Sequence, residues 1–158
     1  MIKTALVSFG MSGKVFHAPF IASNPHFTLV GSWERSSKNI EVAYPGTKSY
    51  SSYEEILSDA SIDLIVVNSP NDSHYTYTKQ ALLAGKHVVC EKAFTITAAE
   101  AQELDDIAKQ KKLKLAVYHN RRYDADFLTI QQLIKEDAIG DFLDVQISFE
   151  RYRTTLRP

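Results

Sequence analysis

An apolar run ending in Ser8-Phe-Gly-Met-Ser-Gly13 brings together the residue types that can hold a phosphate with bare backbone. Glycine lets the main chain approach an anion closely, and the helix that follows such a turn offers unpaired N–H groups and the positive end of its dipole. The spacing Ser8-x-Gly10-x-x-Gly13 is one residue short of the dinucleotide fingerprint. Phe9, Met11 and Ser12 complete the turn and share its backbone. A turn with a simple helix cap would use the same residues, so this stretch alone leaves both readings open. Glu34 lies 21 residues beyond Gly13, close to the separation expected for a carboxylate that meets the adenosine ribose. A solvated carboxylate at a strand end is the other reading.

The elements that must position these residues follow from the order of the chain. Short runs bounded by turn signals at 2–9, 27–33, 63–67, 87–90 and 113–118, with a weaker one at 48–50, predict six strands. Between them fall helical stretches. One runs over 13–23 with Pro19 near its start, and another over 37–43 before the Pro45-Gly46 turn. A third opens on Ser52-x-x-Glu55, and a fourth is capped by Asn71 or Asp72 and stops at Gly85. The fifth opens on Thr97-x-x-Glu100 and buries Ala101, Leu104 and Ala108. Strand and helix alternating over short connections predict an α/β fold, a doubly wound parallel sheet with helices on both faces.

In such a sheet a ligand lies outside the carboxyl ends of the strands. Five polar clusters fall at those ends: Ser8 to Gly13, Glu34-Arg35, Asn68 to His74, Glu91-Lys92 and Tyr118 to Arg122. Five clusters on one rim predict a dinucleotide site.

After Tyr118 the pattern changes. A polar link, Asn120-Arg-Arg-Tyr-Asp124, leads to a helix with Phe127, Ile130 and Leu133 on one side. Leu143, Val145, Ile147 and Phe149 then alternate with polar residues, which predicts a strand with one wet face. The expected organisation is therefore a nucleotide-binding domain over 1–119, then the start of an open-sheet α+β domain over 120–158. One strand of that kind is not stable alone, so the chain reads as the N-terminal portion of a longer protein.

With 18 basic and 19 acidic residues, the charge balance gives no case for nucleic acid or an anionic membrane as partner. No apolar run reaches the roughly 20 residues a membrane span needs, and the N-terminus has no signal-peptide layout. The single Cys90 excludes an internal disulfide and fits a reducing compartment, so a cytoplasmic location is expected. His26, His87 and His119 have no metal-ligand spacing, and no metal is expected. His17 adjoins the phosphate turn and is a candidate to support it from behind.

The ordered set Gly10-x-x-Gly13-x-x-Phe-His-Ala-Pro-Phe20, Ser-Pro-Asn-x-x-His74, Glu91-Lys92 and Asn120-Arg-Arg-Tyr-Asp124 resembles the N-terminal domain of the Gfo/Idh/MocA oxidoreductases. The resemblance covers essentially the whole chain. It implies a Rossmann-type domain that holds NAD or NADP, and an activity that moves a hydride between nicotinamide and a carbinol or carbonyl carbon of a sugar, inositol or similar polyol. It also implies Gly10 and Gly13 at the pyrophosphate, Glu34 and Arg35 at the ribose, and Pro70, Asn71 and His74 beside the nicotinamide. Lys92 would be the catalytic residue and would also bind the cofactor, reaching both it and the substrate. Ser8, Phe9, Met11, Ser12, Ser69, Glu91 and Asn120 complete the implied cofactor site. The family's main acid/base, a histidine with a nearby aspartate, lies beyond this chain, so the fragment is expected to bind cofactor without turnover. Family members pair through the second domain, which implies a homo-oligomer at full length. The alternative activity is that of a cofactor-binding regulator without turnover.

Two departures stand out. Ser8 replaces the usual first glycine, which predicts backbone strain or a longer approach distance at the turn. Ala93 replaces a proline that in the family is often a cis-peptide site. The choice between NAD and NADP is open, because Glu34 favours the first while Arg35, Ser36, Ser37 and Lys38 favour the second.

Overall fold

The computed structural model describes residues 1–34, 37–150, 152 and 154–155. The chain divides into two compact units, Met1–His119 and Asn120–Pro158.

The first unit is built on six strands: β1 Ile2–Leu6, β2 Phe27–Trp33, β3 Lys48–Tyr50, β4 Leu64–Val67, β5 His87–Cys90 and β6 Leu115–Val117. They form one sheet in the order β3-β2-β1-β4-β5-β6, and every neighbouring pair is parallel. The helices are α1 Ala18–Ser23, α2 Asn39–Ala43, α3 Tyr53–Ser58, α4 His74–Leu83 and α5 Ala98–Gln110. This is the Rossmann arrangement, in which the strand order reverses between β1 and β4. The turns after those two strands therefore flank the crevice where a ligand enters.

Side-chain alternation along the strands builds two apolar layers. Ala5, Ile65, Val67, Val88 and Cys90 point to one face and pack with Tyr53 and Ile56 of α3, Ala81 and Leu82 of α4, and Leu104 and Ala108 of α5. Leu6 and Val66 point to the other, with Ala18 of α1 and Ile40 of α2. Both faces of β4 are thus buried, which is why its sequence, Leu64–Val67, reads as an unbroken apolar run. The second face is covered less completely. A cavity of about 260 Å³ opens there between Phe16, Phe20, Ile21, Val66, Val89 and Tyr118.

Capping follows the sequence at one helix and departs from it at two. Thr97 and Glu100 form the full reciprocal box at α5. At α3, Ser52 accepts from Glu55 N, but the Glu55 carboxylate turns to the backbone N and hydroxyl of Ser51 instead. At α4 neither Asn71 nor Asp72 caps the helix. These residues lie in a short 3₁₀ turn, Asn71–Ser73, and the Ser73 hydroxyl donates to Pro70 O at 2.7 Å. Pro70 holds extended backbone ahead of the turn, so the helix starts later than the side-chain pattern suggests.

The second unit holds a short 3₁₀ turn, Asn120–Tyr123, and helix α6, Ala125–Lys135. Arg121 pairs with Asp124 at 2.6 Å just before the helix. The strand expected over 143–149 is not formed. That stretch has no regular structure, and Leu143 is 99% exposed. Its alternation needs a neighbouring strand to bond its backbone and cover its apolar side. Among the described residues, no helix is long and apolar enough to cross a membrane.

Candidate functional site

The turn after β1 is held from behind by β4. Asn68, directly after β4 and 6% exposed, accepts from Ser8 N through Oδ1 at 2.9 Å and donates from Nδ2 to Ser8 O at 2.7 Å. The same Nδ2 reaches Ser12 Oγ at 3.3 Å. Ser8 does not strain the turn as expected from its side chain. Its hydroxyl oxygen accepts from Gly10 N at 3.1 Å, and its backbone stays out of the left-handed region. The side chain thus braces the turn in a way that glycine would not.

Gly10 and Met11 are exposed at the tip of the turn, while Gly13 is buried. A Cβ on Gly13 would lie 2.4 Å from Ser8 O. The second glycine therefore lets the helical turn Gly13–His17 press against the end of β1. Its backbone approach to β1, rather than a lining position at the pyrophosphate, is what requires glycine here. The backbone N–H groups of Met11 and Ser12 open this helical segment, where no preceding turn can accept them.

At the end of β2, Glu34 is fully engaged. Its Oε1 accepts from Ser37 Oγ at 3.0 Å and Asn39 N at 3.2 Å; its Oε2 accepts from Ile40 N and Ser49 Oγ, each at 3.0 Å. A carboxylate has about four acceptor positions, and all are used to start α2 and fasten β3. Arg35, expected at the ribose beside it, lies outside the described residues.

The loops after β4 and β5 are joined by His74. This residue is fully buried, with Nδ1 2.7 Å from Ala93 O and Nε2 2.8 Å from Ser69 O. Beside it, Glu91 closes β5 and is buried; its Oε1 accepts from His17 Nε2 at 2.8 Å and its Oε2 from Lys92 N at 3.1 Å. Burial alone would raise the Glu91 carboxyl, but the bond and charge of His17 hold it below the usual carboxylate range. The Tyr118 ring lies against His17 with centroids 4.5 Å apart. The Lys92–Ala93 peptide is cis, with alanine in the proline's place. Lys92 is exposed, and its ammonium has no hydrogen-bond partner among the described residues.

Residues 2–119 match the family model for the NAD-binding Rossmann fold of the GFO_IDH_MocA oxidoreductases. This chain belongs to the Gfo/Idh/MocA family. It is 38% identical over 152 residues to the scyllo-inositol 2-dehydrogenase (NADP(+)) IolW of Bacillus subtilis, covering 96% of this chain and 42% of that one. It is 39% identical over 156 residues to the oxidoreductase YdgJ of Escherichia coli, covering 99% and 45%. The solved structure of yvaA from Bacillus subtilis superimposes with a TM-score of 0.93 at 37% identity, over 99% of this chain and 46% of that one. The chain thus spans less than half the length of the curated relatives it matches.

As a Gfo/Idh/MocA Rossmann domain the first unit has NAD or NADP as its cofactor. The parallel sheet brings Ser8 to Gly13, Ser69 to Asn71 and Glu91-Lys92 to one edge, since these stretches follow the carboxyl ends of β1, β4 and β5. The residues fit a bound dinucleotide: bare, exposed backbone at Gly10, N–H groups at a helix start, and the exposed Lys92 cation farther along the rim. Three of the expected side chains are engaged elsewhere in the structure. His74 has no exposed surface, because both ring nitrogens tie loops together. Phe9 is 5% exposed, with its ring edge-on to Tyr44 in the apolar layer, so only its backbone belongs to the turn. Glu34 serves α2. Asn120 belongs to the second unit. Asn68 was expected only as part of the polar cluster after β4, and His17 only as a support behind the phosphate turn. Asn68 was readable only as the first of several polar residues after β4, and the pairing of His17 with Glu91 spans 74 positions, beyond any local pattern.

Proposed function

We propose that this chain is the cofactor-binding part of an NAD(P)-dependent dehydrogenase that acts on a CH–OH group of a sugar, inositol or similar polyol. The observation that carries this reading is the exposed Lys92, without a hydrogen-bond partner among the described residues, on the same sheet edge as the glycine turn. A protein that only sensed the cofactor would have no use for a free cation at that position. The inositol specificity in the name of the relative IolW supports the substrate class.

In this reading the backbone N–H groups of Met11 and Ser12 bind the pyrophosphate, with Asn68 and Ser8 holding the turn in shape. Ser69, Pro70 and Asn71 border the nicotinamide side. The bound nicotinamide supplies the hydride donor or acceptor. Lys92 reaches the nicotinamide end of the cofactor, and in turnover it also hydrogen-bonds the reacting oxygen of the substrate and stabilises negative charge that develops there. The acid/base that exchanges the hydroxyl proton belongs to the rest of the protein, and so do substrate choice and oligomerisation.

For the cofactor, NADP is preferred over NAD. Glu34 has no acceptor position left for a ribose diol, and the neighbouring sequence Arg35-Ser-Ser-Lys38 matches a 2'-phosphate. IolW also carries NADP in its name. Fluorescence titration of NADPH and NADH into the chain tests this. Tighter binding of NADPH by about tenfold is expected, a difference of about 1.4 kcal/mol. Equal affinity, or tighter binding of NADH, would refute the preference.

A further inference from the structure

We infer that His17 is a positioning residue for Lys92, acting through the carboxylate of Glu91; the inference rests on the cofactor site proposed above.

The connection runs through three contacts. His17 ends the helical segment that begins at the glycine turn, is 4% exposed, and holds Glu91 Oε1 at 2.8 Å. The other oxygen of Glu91 accepts the backbone N–H of Lys92 at 3.1 Å. On the far side, His74 holds Ala93 O at 2.7 Å. The backbone of Lys92 is thus fixed on both sides while its ammonium stays free. The Tyr118 ring backs His17, and the Tyr118 hydroxyl donates to Phe16 O at 2.9 Å, which fixes the backbone just before the histidine.

A buried carboxylate needs donors on both oxygens to stay ionised and in one rotamer. Without His17, Glu91 Oε1 loses its partner, and burial would drive the group either to protonate or to turn. Protonation weakens the bond from Lys92 N, and turning breaks it. The segment carrying His17 is the one that begins at the phosphate turn, so this pair ties the pyrophosphate end of the site to the nicotinamide end.

The test compares two probes in the full chain: NADPH, and 2'-phospho-ADP-ribose, which lacks the nicotinamide. His17→Ala should weaken NADPH by about fivefold and change 2'-phospho-ADP-ribose by less than about twofold, as expected for losing one charge-assisted contact. His17→Gln, whose amide can still donate to Glu91, should restore NADPH binding. In a Lys92→Ala background, His17→Ala should have no further effect, because the two residues act on one contact. Should His17→Ala fail to fold, Glu91→Ala, which removes the acceptor of Lys92 N, should give the same split between probes. Equal weakening of both probes, no weakening of either, or a full His17 effect without Lys92 would overturn the inference. Failure of the unsubstituted chain to bind either probe would overturn the site reading beneath it.

Discussion

Asn68 holds Ser8 by both of its backbone groups across 60 positions of sequence, accepting from its N–H at 2.9 Å and donating to its carbonyl at 2.7 Å. An amide is the one side chain of this size that offers an acceptor and a donor side by side, so it imitates a strand neighbour where the ladder has ended. This bond fixes the turn after β1 to the end of β4, across the point where strand order reverses.

Replacement of Asn68 by alanine leaves the Ser8 groups without their partner in a buried setting. A loss of about 1–3 kcal/mol in stability is expected. Asn68→Asp keeps the acceptor and removes the donor, so it should lie between. Urea unfolding of the three proteins checks the order. Cofactor binding should weaken in the same order, read by NADPH fluorescence.

Gly13→Ala puts a methyl group 2.4 Å from Ser8 O, which backbone at both sites must move to relieve. A stability loss of about 1–3 kcal/mol is expected from such overpacking, together with loss of cofactor binding as the turn is displaced. Gly10→Ala meets only Ser8 Oγ, at 3.3 Å. It should fold nearly as well as the parent and weaken cofactor binding alone. Thermal unfolding with parallel NADPH titration separates the two effects.

Glu34→Gln replaces four accepted bonds with a group that has one acceptor oxygen. Stability should fall by about 1–2 kcal/mol, in the range of a lost helix cap. The amides of Asn39 and Ile40 should exchange faster with deuterium, while the ratio of NADPH to NADH affinity changes by less than about twofold. A tenfold change in that ratio would return Glu34 to the ribose.

Asp59 sets a pH dependence. Hydrogen bonds from Ser61, and from the Tyr50 hydroxyl at 2.8 Å, lower its carboxyl to about 2. Its unfolded value is about 3.9. A depressed folded value means that the contribution is present in full above about pH 4 and is lost as pH falls through about 2. Asp59→Asn should be less stable at neutral pH, with a flatter stability profile between pH 4 and 2. An unchanged acid limb would contradict this assignment.

The strands were legible because their apolar runs are bounded by turn residues, and β2, β3 and β5 fall on the expected residues. The rim was legible for the same reason, since polar clusters at strand ends must share an edge once the strands are parallel. Side-chain commitments were not. Glu34 reads as a free carboxylate until α2 and β3 are seen to spend all its acceptor positions. His74 reads as a rim residue until two loop carbonyls enclose it. Lys86, the first residue before β5, reads as a solvated charge, yet it is 7% exposed and donates to Asp59 O and Ile62 O at 2.7 and 2.8 Å. Each of these depends on partners brought close by the tertiary fold. The alternating stretch at 143–149 shows the converse, where a pattern is present and the neighbour it needs is not among the described residues.

Backbone amide NMR of the chain during NADPH addition tests the central claim most directly. Shifts should appear together at Gly10, Met11 and Ser12, at Ser69 and Asn71, and at Lys92, and they should saturate at one ligand per chain. Shifts confined to one of these loops, or clustered on the opposite edge of the sheet, would contradict a single dinucleotide site across the carboxyl ends of β1, β4 and β5.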